Sequence, residues 1–178
     1  MPQKPKFFTM TIKTKSFLNL FSLRVIHKAD HTQLVMKAFT KQVTTKGIPL
    51  TYDILKKELP SVLSSRCFND QKLPFSEEVR ATEIGHLFEH VLLQYLCQEK
   101  IAYGYTEATY NGLTKWNWLR DPYGTFMITI DSGYEDLAIF PFALQKTILL
   151  LQQILQSTTI MFEDLPSVGV QHTPAVVQ

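Results

Sequence analysis

The sequence is poor in several things that a protein of its length commonly uses. Its 178 residues include two cysteines, Cys67 and Cys97. That is too few for a disulfide framework, and both are read as core thiols of a protein kept in a reducing compartment. Excess charge is lacking as well. Lys and Arg number 18 against 16 Asp and Glu, a net of +2, so bulk electrostatics gives no reason to expect nucleic acid or a membrane surface as a partner. A bilayer-spanning run is also missing, because the most hydrophobic stretch, 137–155, is broken by Pro141, Gln145, Lys146, Gln152 and Gln153. Near the start, Lys13 and Lys15 interrupt the apolar run behind Lys4 and Lys6 before an export-signal core is complete. A soluble, cytoplasmic protein is expected. There is no internal repeat and no low-complexity tract.

What is present is an ordinary globular composition, 45% apolar. It implies one domain over 1–162, with a strand-rich part at 1–50 and a second part at 51–162. The segment 163–178, aperiodic with two prolines and a glycine, is expected to be a flexible tail. Alternation of apolar and polar residues predicts strands around Phe8/Met10/Ile12, Leu23/Val25, Leu34/Met36/Ala38 and Phe126/Ile128/Ile130. Ile101-Ala102-Tyr103-Gly104-Tyr105 begins a further strand, and Lys115 to Trp118 is its return or a loop. Thr51 is placed as the cap of a short helix ending at Pro60. A long helix is predicted over about 76–99, capped by Ser76, and another over about 136–156 with Leu137, Phe140, Leu144, Ile148, Leu151 and Leu155 as its core stripe. The order predicts a two-layer α+β fold, an antiparallel or mixed sheet with both long helices packed on one face.

The first long helix carries His86-Leu87-Phe88-Glu89-His90. Residues four apart in a helix project from one face, so His86 and His90 can reach one metal ion, and Glu89 is adjacent. This spacing is the inverzincin pattern H-x-x-E-H, two imidazoles on zinc with a carboxylate working on water. A solvated polar face is the other reading. Against it, no Lys or Arg occurs between Arg80 and Lys100, and the face's neighbours, Val79, Leu93 and Cys97, imply partial burial. Cys97, about 10 Å along the axis from His90, is a poor partner for that metal.

TEIGHLFEHVLLQYL (82–96), then YGYTEATY (103–110), then a strand and a second helix with Glu135, resembles the N-terminal domain of cyanophycin synthetase, with the likeness covering roughly residues 66 to 156. The ATP-grasp and Mur-ligase-like modules of that family are not in this chain, so no ATP-driven ligation is expected. The resemblance implies Glu135 as the third zinc ligand, with Asp131, Asp136 and Glu107 in reserve. Zinc so held activates water, with Glu89 as the general base that passes its proton to the leaving amine. Arg66, Arg80, Arg120, Tyr123 and Trp116 are candidate substrate contacts, Trp116 and Trp118 by stacking on guanidinium groups. Two functions follow: zinc-dependent hydrolysis of cyanophycin or a related Asp/Arg (iso)peptide, or a non-catalytic accessory domain that binds such a polymer. A purely structural zinc site is a third.

Overall fold

The computed structural model describes residues 19–68 and 73–163, with side chains up to 157. The strand expected around Phe8 and the tail at 163–178 lie outside the described residues, save Glu163 at a helix end. Four strands form one antiparallel sheet in the order β1-β2-β4-β3: β1 is Phe21–His27, β2 Thr32–Ala38, β3 Gly112–Lys115 and β4 Thr125–Ile130. The period-2 pattern fixes which face is buried. Leu23, Val25, Leu34, Met36, Phe126, Ile128 and Ile130 all lie on the inner face and are buried.

On that inner face pack two long helices, α3 (Ile84–Ala102) and α4 (Phe140–Glu163), preceded by the short α1 (Thr51–Glu58) and α2 (Phe75–Glu78). The fold is therefore the expected two-layer α+β arrangement. Gly85 lets α3 lie close to the sheet, since a Cβ there would run into the Phe126 ring. Phe88 meets Phe21 edge-on, with centroids 6.5 Å apart, and Glu89 reaches β3. The sheet side of α3 thus runs through 85, 88 and 89, and Tyr95 is only half-buried. Lys146 of α4 ties to Glu99 of α3 at 2.6 Å.

Several local expectations are corrected. Thr51 is the first residue of α1, not its cap; Leu50 holds that position, and Thr51 Oγ1 donates to the Ile48 carbonyl. The helix expected over 76–99 is two helices. Between them Thr82 and Glu83 turn extended to pair with 43–45: Thr44 bridges Glu83, Thr45 N–H donates to Thr82 O, and Ile84 N–H donates to Val43 O. No local pattern announces a pairing with residues nearly forty positions upstream. At its other end α3 runs on to Ala102, so 101–105 is not a strand; Gly104, at φ +112, supplies the left-handed turn that ends it. Leu137 lies before α4 in a turn that follows a 3₁₀ segment at Tyr134–Asp136 and is exposed, while the other five residues of the predicted stripe are buried. Pro141 sits in the first turn of α4, where its missing N–H costs nothing.

Candidate metal centre

His86 and His90 project from α3 toward the segment 60–82, away from the sheet. His90 is buried and His86 half-buried. The Phe75 ring stacks on His90 at 3.8 Å and meets His86 edge-on. Their Nε2 atoms stand 3.2 Å apart, and Cys67 Sγ is 3.5 Å from His86 Nε2. Sγ and the two ring nitrogens all lie within 4.8 Å of one another.

A hydroxyl partner fixes the proton of one ring. Ser65 has one hydroxyl proton and donates it to the Val62 carbonyl at 2.7 Å. Its 2.9 Å bond to His90 Nδ1 must therefore be donated by the imidazole. Thr82 Oγ1 lies 2.8 Å from His86 Nδ1, where either the ring or the hydroxyl can donate. With Nδ1 protonated, His90 turns an Nε2 lone pair toward His86 Nε2. Cys67 can bring at most one proton to this meeting of three electron-rich atoms. A second proton on His90 is disfavoured, because burial first and the neighbouring His86 second push its pKa down to about 3. Burial lowers His86 as well.

With the His86 proton on Nδ1 as well, both Nε2 lone pairs would be open to a metal ion. The spacing fits one. Two nitrogens about 2.0–2.1 Å from an ion at the tetrahedral angle stand about 3.3–3.4 Å apart, and a thiolate sulfur at about 2.3 Å stands about 3.5–3.6 Å from such a nitrogen. The observed 3.2 and 3.5 Å edges come close, and the third edge is within 4.8 Å. Imidazoles whose Nδ1–H is held by an outer partner, leaving Nε2 for the metal, are the usual support of such ligands. Cys67, His86 and His90 could therefore hold a metal ion.

Glu89 is placed differently. It is buried on the sheet side of α3, where Thr114 Oγ1 of β3 donates to its Oε2 and its side chain packs over Gly112. Burial pushes its pKa up to about 7, with the Thr114 bond opposing. The contacts of the imidazoles are with 65–82; those of Glu89 are with β3.

Glu135 is exposed in the turn before α4 and acts on Lys100. Lys100 is ten residues beyond His90, about 15 Å along the helix. The structure thus brings Glu135 to the opposite end of α3 from the imidazoles. Among the described residues, the grouping with metal-ligand spacing is Cys67, His86 and His90, with no carboxylate in it. The reserves are engaged elsewhere. Asp136 accepts from Lys100 and Tyr110, Asp131 accepts from Asn111, and Glu107 is exposed. Cys67, read from sequence as a core thiol, is the missed member. It lies in an irregular segment, so no periodicity pointed to it; an imidazole pair short of a third donor was the one signal available.

The other candidate contacts are dispersed. Arg80 lies over the Tyr52 ring at 4.1 Å. Arg66 is exposed next to Cys67 in the chain, and Arg120 and Tyr123 are exposed in the β3–β4 connection. Trp116 is 40% exposed and packs edge-on to Phe126, while Trp118 donates to the Thr125 carbonyl and packs on Tyr123. No described helix is long and apolar enough to cross a membrane.

Residues 33–115 match the family model of the cyanophycin synthase-like N-terminal domain. The match runs from β2 through β3, takes in Cys67, His86, Glu89 and His90, and stops short of Glu135. It begins earlier and ends sooner than the likeness visible in the sequence. No curated protein matches the chain.

Proposed function

We propose that this cyanophycin synthase-like domain binds cyanophycin or a related Asp/Arg (iso)peptide as an accessory module, braced by a zinc ion on Cys67, His86 and His90. The observation that carries the reading is the division of α3 into two sides. The third donor beside the imidazoles is a thiol from the segment before α2, and the nearby carboxylate, Glu89, is spent on Thr114 against the sheet. When bound, zinc would supply a positive charge that both Nε2 lone pairs share. The protein's part is to hold both Nδ1 atoms through Ser65 and Thr82, to cover the rings with Phe75, and to tie the segment 60–68 to α3. Zinc suits mixed thiolate and imidazole donors.

One observation favours the second reading, a zinc-dependent hydrolase with Glu89 as general base. A carboxyl held at about 7 is tuned for proton transfer near neutrality, and three protein donors are also the number found in catalytic zinc sites. Incubation with insoluble cyanophycin and with Asp/Arg isopeptides, with and without chelator, separates the two. The expected result is co-sedimentation with the polymer and no released Asp–Arg product. Chelator-sensitive release that Glu89→Gln abolishes would establish the hydrolase instead. Failure to co-sediment would remove the binding role.

A further inference from the structure

The sheet face turned away from α3 and α4 has a pattern of its own. Strand register places Arg24, Val35, Met127 and Lys115 in one row across all four strands, with Lys37 in the next row. The three cations and Met127 are exposed, and Val35 is half-buried. None of the outward positions of the four strands is Asp or Glu. Exposed sheet cations are commonly answered by a carboxylate on the neighbouring strand; here they are not. Arg24 and Lys115 stand at the two ends of a four-strand row, about 14 Å apart at the usual strand spacing, with aliphatic and thioether surface between them. Beyond Lys115 the face opens into a groove of about 380 Å³ lined also by Trp116 and Asp121.

We propose that this face is a docking site for an extended, carboxylate-rich peptide segment of a partner, lying across the strands from Arg24 to Lys115. Its carboxylates meet Arg24, Lys37 and Lys115, and its aliphatic carbons lie on Val35 and Met127. A chain rising about 3.3 Å per residue covers that distance in four or five residues. A single-stranded nucleic acid fits less well, because no outward strand position offers a ring on which a base can stack, and three cations give few phosphate contacts. The surface is opposite the metal centre, and the inference does not depend on that centre.

The test uses the full chain and a fluorescently labelled short poly-L-glutamate, followed by anisotropy and by the chain's own two tryptophans. Binding is expected to weaken with salt, and to weaken about tenfold or more in the triple variant Arg24→Gln/Lys37→Gln/Lys115→Gln. These side chains are exposed, so the variant should melt like the parent, which a thermal scan verifies. Absence of poly-L-glutamate binding, equal affinity in the triple variant, or tighter binding of an oligothymidylate of the same charge would each overturn the proposal.

Discussion

Helix α3 carries a polar cluster at each end, and the two are built on opposite principles. At the C-terminal end Lys100 Nζ lies 3.0 Å from Asp136 Oδ1, Tyr110 donates to the same oxygen at 2.8 Å, and the ammonium lies over the rings of Tyr105 and Tyr110. Every charge there has its opposite, although Asp136 Oδ2 accepts nothing. At the N-terminal end His86, His90 and Cys67 bring two ring nitrogens and a sulfur within 4.8 Å of one another, with no carboxylate among them. One cluster is built on an ion pair; the other gathers three atoms of metal-ligating type. Buried polar groups alone do not mark a binding site, and the distinction lies in whether they pair opposite charges or gather ligand-type atoms at metal-ligand spacing.

Breaking the self-sufficient cluster should have the largest effect on the fold. Asp136→Asn leaves Lys100 without its counter-charge and is expected to cost about 2–3 kcal/mol, at the low side for a broken buried pair because Lys100 keeps some solvent. Metal content should not change. Urea unfolding with metal analysis of the same sample reads both, and loss of metal in this variant would mean that the two ends are not independent.

The sheet-side carboxylate gives a pH signature of the next size. Glu89 titrates at about 7 in the fold against an ordinary value of 4.5. The neutral acid is thus favoured by folding, and its contribution is full below about pH 4.5 and lost as pH rises to about 7. In chelated protein, Glu89→Gln should remove that decline and gain on the parent by on the order of 2–3 kcal/mol above pH 7. His90 works in the opposite sense. Its depressed pKa means that stability is held above about pH 6.5 and lost on acidification toward 3, equally in both proteins. Parallel stability curves for parent and Glu89→Gln across pH 5–8 would contradict the placement of Glu89.

The smallest change reaches the metal through a proton alone. Ser65→Ala removes the acceptor for His90 Nδ1–H while leaving every donor to the ion in place. Zinc affinity is expected to fall about tenfold or more, measured by chelator competition. An unchanged affinity would show that the hydroxyl does not fix the tautomer.

Much of the framework was legible because it rests on short-range patterns. Alternation at Leu23/Val25, Leu34/Met36 and Phe126/Ile128/Ile130 marked three strands whose single buried face it mirrors. The stripe from Phe140 to Leu155 marked α4, and four-residue spacing correctly paired the imidazoles. What failed was long-range. The break before Ile84 arises from pairing with 43–45, and the large residues at 103 and 105 follow a helix end rather than alternate along a strand. Glu135 begins the approach to α4 as expected, but closeness to a helix start in sequence placed it beside Lys100, not beside the histidines. Cys67 sits nineteen positions before His86 in a segment without periodicity, and only the folded chain brings the two together.

The most direct test of a thiolate-bearing metal centre is the optical spectrum of the cobalt(II)-substituted protein. A sulfur-to-cobalt charge-transfer band in the near ultraviolet is predicted for the parent and should vanish in Cys67→Ser, with the visible bands of a tetrahedral ion weakened or shifted. An identical spectrum for parent and Cys67→Ser, or no cobalt bound by the parent, would contradict the account.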